Sequence, residues 1–499
     1  MERYLLGIDV GTTGCKVGLF SLSGERIALT RGDYHTHHPQ PGCAEQDPLE
    51  WWNAIKTGIQ MILQQSGIAA TQIAAIGVDS HVPTLLPLHA NGDVAYPAMI
   101  WADSRAKAES RWISQQIPDE TFIQICGNTC TPNYLAPKIK WFQAHEPQAF
   151  LDTAVFLQVN GYINYKLTGN LSMDISNSEL TLMADKTTGA WSTQICEALK
   201  IPMEKLPEVK ECTEVIGTVS QTAAKETSLA EGTPVIAGGN DTAMSVLTLN
   251  IVEHGQAFLD IGHATNPGVC LDKPASCSIC NLYHHVLPHR WLLQAYVGTT
   301  GAALRWFKET LGETETHAAA IIKSDPYTLL SEVKAAEATP GSAGLLFLPY
   351  LAGAQEAPDV RGTFLGLSTS TTKAEMIRAL LEGCAFAVRR NIELVERAAG
   401  LEISAWHTTG GGANSDLWCQ IHADITGKQV LVPRVRDGAV LGSALLAGIG
   451  TGVLPKDLDL KKIAPIDREY TPIASHQAIY DERYEQFCRA YDLLTQYAG

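Results

Sequence analysis

The sequence predicts an α/β protein of two related domains, and three observations carry that expectation. The chain has 499 residues, too many for one ordinary hydrophobic core. It opens on a hairpin, Leu5 to Phe20 (LLGIDVGTTGCKVGLF), which a third strand near Arg26 to Arg31 extends into a meander. A second meander then starts at Ala257 to Ile261 and continues through Gly268 to Leu271 and Trp291 to Val297. The best internal-repeat reading is two copies of one meander-plus-helix unit, with domains at 1–247 and 248–499 and a boundary near Leu247 to Val252.

Within the first hairpin, Leu5, Leu6 and Ile8 supply a buried strand, Gly11 to Gly14 a turn, and Val17, Leu19 and Phe20 the returning strand. Asp9 thus stands at the mouth of a glycine turn. Backbone N–H groups at Gly11 and Gly14, hydroxyls at Thr12 and Thr13 and the Lys16 ammonium suit an anion, and Asp9 suits a hydrated cation. That combination cradles a metal-bound polyphosphate. A plain hairpin turn would explain the same residues, so the rest of the chain has to decide.

Asp47-Pro48 predicts a helix start, with Trp51, Trp52, Ile55, Ile59 and Ile62 as its buried stripe. A buried strand follows at Ile73 to Asp79. The order strand, strand, strand, helix, strand opens a ribonuclease-H-like layer. Ala98 to Arg105 (AMIWADSR) reads as a strand ending in charges, Thr131 to Phe142 as the irregular entry to a helix, and Val155 to Leu167 as helical. Pro234 to Asp241 (PVIAGGND) repeats the opening logic: an apolar strand, glycines and an acid at its end, with a helix from Thr242 to Leu249. In the second half, Gly262-His263-Ala264-Thr265 stands where the first half has its glycine turn. Strand Gly344 to Tyr350 and a long helix from Lys373 to Gly400 precede Ala405 to Asn414 (AWHTTGGGAN), a strand and a triple-glycine turn before the helix Ser415 to Gly427. Gly442, Ala444 and Ala447 give the helix Val440 to Gly448 a small face for close packing, and a last helix runs from Gln477 to Tyr497.

Bulk properties remove several classes of function. A formal net charge of -16 argues against a nucleic-acid surface, and 45% hydrophobic with 18% charged residues is a globular balance. No signal peptide and no apolar run of the ~20 residues a bilayer requires are read, so the expected location is the cytoplasm, with the 12 cysteines reduced. Cys270, Cys277, Cys280, His284, His285 and His289 could be imagined around zinc. The absence of a second paired motif and the interleaved apolar residues favour metal-free thiols. His35, His37 and His38 read as a solvated loop.

Two meanders, two acids at strand ends and a late triple-glycine turn together resemble the actin, hexokinase and heat-shock-ATPase superfamily. More narrowly, DVGTTGCK at Asp9, AEQDPLEWW at Ala44, AMIWADSR at Ala98, NYLAPKIKW at Asn133, AGGNDTA at Ala237, GTFLGL at Gly362 and TTGGGAN at Thr408 resemble the FGGY family of carbohydrate kinases, in that family's order. Within it the xylulokinases are most similar. The resemblance implies two ribonuclease-H-like domains with an interdomain cleft that closes on substrate. It also implies ATP-dependent phosphorylation of a sugar, foremost D-xylulose to D-xylulose 5-phosphate, with Mg as cofactor.

By motif, the resemblance assigns Asp241 as general base and Asp9 as organiser of the magnesium, with Asp241 counted beside it at the metal. Gly11, Thr12, Thr13 and Lys16 form the first phosphate loop, Gly262 and His263 the second, and Gly411, Gly412, Ala413 and Asn414 border the adenosine. His81, Asp103, Tyr134 and Asn240 join Asp241 around the sugar. No nucleic acid or membrane is expected as a partner, and a homodimer is the default assembly. Two departures stand out. Relatives use a histidine on the loop after Ile73 to Asp79 to touch the sugar. Here Val82-Pro83 stands at the matching pair with His81 before it, so either His81 serves from one turn earlier or the substrate differs. In Gly262-His263-Ala264 an imidazole and a methyl replace two hydroxylated residues, and His263 is the candidate donor to phosphate. A kinase for gluconate, a pentitol or another polyol is therefore one alternative, and a catalytically weak nucleotide-binding regulatory protein is another.

Overall fold

The computed structural model describes residues 2–435 and 437–498. The chain forms two compact units. The first comprises Met1–Val252, Leu271–Leu292 and Val435–Ala464; the second comprises Glu253–Cys270, Leu293–Arg434 and Pro465–Gly499. The first unit thus takes in two segments from later in the chain, Leu271–Leu292 and Val435–Ala464.

The first unit is built on a sheet whose central strands are Ile73–Ser80, Tyr4–Val10, Gly14–Ser21 and Arg26–Asp33, in that spatial order, with Pro234–Ile236 and Val215–Thr218 beyond Ile73–Ser80. The opening hairpin is antiparallel, whereas Tyr4–Val10 runs parallel to Ile73–Ser80. Leu6 and Ile8 face one side of the sheet, where they join Trp51, Ile55, Ile59 and Ile62 of the helix Pro48–Ser66 in one core. That helix starts as its sequence predicts: the Asp47 carboxylate accepts from the Leu49 N–H at 2.9 Å, and Pro48 occupies the first turn. Gly67, at φ 65°, ends it.

Gly7 faces the other side, and its lack of a side chain explains why residues 435–464 come back. A Cβ on Gly7 would lie 1.9 Å from the Val440 carbonyl oxygen, and one on its parallel neighbour Gly77 would lie 2.1 Å from that of Ser443. The helix Gly438–Gly450 therefore rests directly on two strand backbones. Its small face also meets the helix Asp241–Thr248, where a Cβ on Gly442 would stand 2.3 Å from the Met244 carbonyl oxygen. The close partner expected for Gly442 is this helix.

In the second unit, Ala257–Ile261 pairs antiparallel with Thr265–Leu271 and parallel with Ala405–Thr409. Gln429–Pro433 and then Ile466–Tyr470 continue the sheet. The helix Lys373–Ala399 is buried along most of its length and carries a capping box, in which Thr372 and Glu375 satisfy each other's backbone N–H groups. Thr372→Ala is expected to cost about 1 kcal/mol, read as a lower urea midpoint with an unchanged m-value. Deep in the same unit, Glu382 accepts from Arg378 Nε at 2.9 Å and from the Tyr480 hydroxyl at 2.8 Å, fastening the helix Ala474–Ala498.

Several segments differ from expectation. Only Ala98–Met99 of AMIWADSR is strand, because Trp101 onward turns to bury Asp103. Residues 155–167 divide into a strand, Val155–Leu157, and a helix, Val159–Thr168. Asp241 does not end a strand but begins the helix Asp241–Thr248, after a short strand at Gly239–Asn240. Among the described residues, no helix is long and apolar enough to cross a membrane.

Candidate active site

Strand register gathers the acids of the first unit. Asp9 is opposite Lys16 on one side and opposite Asp79 on the other, and Gly239 is opposite Asp79 in turn. Asp241, two residues after Gly239, therefore emerges at the same end of the sheet. Lys16 Nζ donates to Asp9 Oδ2 at 3.0 Å. Asp79 is fully buried; the Ser443 hydroxyl donates to its Oδ2, while its buried Oδ1 has no partner among the described residues. Burial, with Asp9 alongside, raises the Asp79 carboxyl well above the usual carboxylate range. Asp79 had a visible signal, an acid closing an apolar strand, but its role depends on register that sequence does not display.

The glycine turn is braced from outside. Gly11 N–H bonds the Gly14 carbonyl at 3.0 Å, and the Tyr34 hydroxyl donates to the Gly11 carbonyl. Gln46 Nε2 donates to the Thr12 carbonyl at 2.7 Å, and Trp101 Nε1 donates to the Thr12 hydroxyl at 2.8 Å. These contacts leave the turn's shape determined by its neighbours.

Asn240 is buried and serves as the helix cap: its Oδ1 accepts from Ala243 N–H at 2.7 Å and its Nδ2 donates to the Ser176 carbonyl at 3.1 Å. Ser176 also accepts from the Asn240 N–H at 3.0 Å and donates to Asp174 at 2.6 Å, so a buried polar chain holds the residue before Asp241. Asp241 itself accepts from Thr242 N–H at 2.6 Å in the first turn of its helix.

His81 is buried edge-on to Trp51, with Nδ1 3.2 Å from the Thr84 hydroxyl and no partner for Nε2 among the described residues. Burial, with Lys138 nearby, pushes its imidazole down to about 3, so it is neutral. Lys138, which sequence did not single out, donates to the carbonyls of Pro83, Met99 and Ile100 at 3.3, 3.3 and 2.7 Å. It ties the His81 loop to the segment leading to Asp103, and burial lowers its ammonium to about 7.

Asp103 is fully buried and committed to the protein. Its Oδ2 accepts from Ala44 N–H at 2.7 Å and from Arg105 Nη2 at 2.6 Å, and its Oδ1 from Arg105 N–H at 3.1 Å. Arg105 also pairs with Glu45 at 2.7 Å and stacks over Trp141. Tyr134 is buried and donates to Asn281 Oδ1 at 2.9 Å. His284 pairs with Glu179, and His285 Nε2 lies 3.0 Å from the Ile251 carbonyl, so each of these imidazoles has a protein partner.

The second unit contains a cavity of about 350 Å³ that brings together most of its predicted nucleotide residues. Gly262, His263, Gly411, Gly412 and Asn414 line it, with Arg305, Tyr327, Glu332 and Trp418, none of which carries a motif. Ala413 does not line it; the residue is buried beneath the turn. Gly412 passes so close to Ile261 that a Cβ would lie 2.2 Å from its Cγ2, and a Cβ on Gly301 would lie 2.2 Å from the Gly262 carbonyl oxygen. The helix Gly301–Leu311 starts on this loop, with Ala302 N–H bonding the His263 carbonyl at 2.9 Å. Exposed backbone donors at two glycine turns suit phosphate, and the apolar wall suits a base.

The model for the FGGY family of carbohydrate kinases, N-terminal domain, matches residues 4–248, and that for the C-terminal domain matches residues 270–451. The xylulose kinase of Escherichia coli strain K12 is 31% identical, over 98% of this chain and 99% of the relative. The crystal structure of xylulose kinase from Rhodospirillum rubrum superposes with a TM-score of 0.91 at 28% identity, over 99% of each chain. The crystal structure of gluconate kinase from Lactobacillus acidophilus gives 0.90 at 25% identity, over 100% of this chain and 99% of that one.

Proposed function

The chain belongs to the FGGY family of carbohydrate kinases, and within it we propose that it transfers the γ-phosphoryl group of ATP to D-xylulose, giving D-xylulose 5-phosphate. The observation that carries this reading is the register that sets Asp9, Asp79 and Asp241 at one end of one sheet. Phosphoryl transfer asks little covalent participation of a protein, so placement, charge and a proton acceptor are what the chain must supply.

Asp241 is the acceptor: its carboxylate takes the proton of the attacking hydroxyl, and the capped Asn240 keeps it in the first turn of its helix. Asp9 and the partnerless Oδ1 of Asp79 are hard oxygen donors, the kind magnesium takes one or two of while keeping its waters and substrate phosphates. Magnesium, when bound with the nucleotide, neutralises phosphate charge. His263, Gly411 and Gly412 offer the nucleotide their main chain, with Asn414 beside them in the same cavity, and neutral His81 offers the sugar an imidazole.

A panel of ketoses, pentitols and aldonates in an ADP-release assay tests the reading, with D-xylulose expected to give the highest kcat/KM. Aldonates belong in it because of Val82-Pro83 beside His81 and the likeness to a gluconate kinase. Turnover of gluconate without D-xylulose would contradict the substrate. ATP binding with no turnover of any compound would instead favour a regulatory nucleotide-binding protein.

A further inference from the structure

We infer that Cys277 and Cys280 form a dithiol site that low-molecular-weight disulfides convert to an intramolecular disulfide, and that this cross-link weakens sugar binding through Asn281 and Tyr134; the second part rests on the proposed kinase function. The two cysteines begin and end a turn of the first unit, in which the Cys280 N–H bonds the Cys277 carbonyl at 3.3 Å. Such a turn holds its first and fourth Cα atoms less than about 7 Å apart, and a disulfide spans about 4.4–6.8 Å. The side chains meet as well. The Cys280 thiol donates to the Cys277 sulfur, and that contact, ahead of burial, raises it above the usual thiol range. Cys277 is partly exposed and Cys280 is buried. Among the described residues they belong to no group of three or more side chains able to hold a metal ion. The histidines that follow are engaged elsewhere, His284 with Glu179 and His285 with the Ile251 carbonyl.

Exposure sets the order of the exchange. Cys277, as its thiolate, attacks one sulfur of a small disulfide such as oxidised glutathione and releases one thiol. Cys280 then gives up its proton and attacks Cys277 Sγ in the mixed disulfide, expelling the second thiol. The protein's two thiols are thereby oxidised to one S–S bond, the oxidant is reduced to two thiols, and the two protons pass to the departing thiolates. The turn is fastened to the segment that carries Tyr134. Thr129 Oγ1 donates to the Ser278 carbonyl at 3.3 Å, and Lys186 Nζ donates to Ser276 Oγ at 3.1 Å. The strand Asn281–His284 starts one residue after Cys280, and Asn281 Oδ1 accepts from the Tyr134 hydroxyl at 2.9 Å. Leu282 exchanges two hydrogen bonds with the Asn128 amide, each at 2.8 Å. Bonded sulfurs stand about 2.05 Å apart, closer than two thiols in contact. Closure therefore displaces Asn281 relative to Tyr134, the residue that resemblance places at the sugar.

Protein kept reduced and protein incubated with oxidised glutathione are compared by non-reducing peptide mapping and by steady-state kinetics. Wild type is expected to yield a Cys277–Cys280 cross-link that dithiothreitol reverses, distinct from glutathione adducts at the partly exposed Cys43, Cys130 and Cys488. Cys280→Ser should trap a glutathione adduct on Cys277, and Cys277→Ser should leave the buried Cys280 unmodified. The cross-link is expected to raise the KM for D-xylulose about threefold or more, the effect of weakening one hydrogen bond, with ATP binding unchanged. Cys277→Ser given the same treatment should show no such rise. Should Cys280→Ser not fold, wild type and Cys277→Ser carry the test. Two thiols still free after oxidation, or separate adducts without a cross-link, would overturn the inference, and cross-linked protein with an unchanged KM would overturn its second part. No turnover of D-xylulose by reduced wild type would overturn the kinase reading and the second part with it, while the mapping still decides the first.

Discussion

Asp241→Asn is expected to lower kcat by roughly 10²–10⁴-fold while leaving ATP affinity and the thermal transition nearly unchanged. An amide has almost the shape of a carboxylate, and its oxygen can still accept from the Thr242 N–H, now at 2.6 Å. The Asn240 cap and the buried Ser176 and Asp174 contacts behind it are untouched. What disappears is the capacity to take the proton of the attacking hydroxyl. Steady-state kinetics with saturating sugar, paired with calorimetric ATP binding, read the two quantities separately. A variant retaining more than half of the wild-type kcat would remove Asp241 from proton transfer.

Arg105→Met is expected to destabilise the first unit by about 3–5 kcal/mol, because it strands the fully buried Asp103 carboxylate and leaves Glu45 unpaired. Asp103 keeps only the N–H groups of Ala44 and of residue 105 as donors. Asp103→Asn combined with Arg105→Met should recover part of the loss, since the double variant no longer buries the Asp103 charge and only Glu45 stays without its cation. Urea unfolding of the two single variants and the double variant measures the coupling. Additive losses would show that the pair is not coupled as the distances imply. The same variants weigh the role inferred from resemblance, in which Asp103 touches the sugar. Its present bonds are spent on holding Ala44 and Arg105.

What could be read from the sequence follows from how local the causes are. The hairpin, the Asp47-Pro48 helix start and the long helix beginning at Lys373 each depend on residues within a few positions of one another, and each is found where expected. The return of residues 435–464 to the first unit is not local. It depends on Gly7 and Gly77 being adjacent across parallel strands so that a helix can reach their backbones, and neither glycine sits in a recognisable motif. Asp79 illustrates the same limit. It looks like an ordinary strand acid until register shows that Asp9 is opposite it. The glycines lining the second-unit cavity are legible because close backbone approach demands them, whereas Arg305, Tyr327 and Glu332 reach the cavity from segments without any such constraint.

Transfer of a phosphoryl group from ATP to a sugar hydroxyl, with Asp241 as the base, leaves a product that can be observed as it forms. Phosphorus NMR of a reaction containing wild-type protein, magnesium, ATP and D-xylulose tests it most directly. A phosphomonoester resonance is expected that grows with ADP, is identified as D-xylulose 5-phosphate by its coupling to the C5 protons, and is nearly absent with Asp241→Asn. ADP formed together with inorganic phosphate alone, or an ester produced equally by Asp241→Asn, would contradict it.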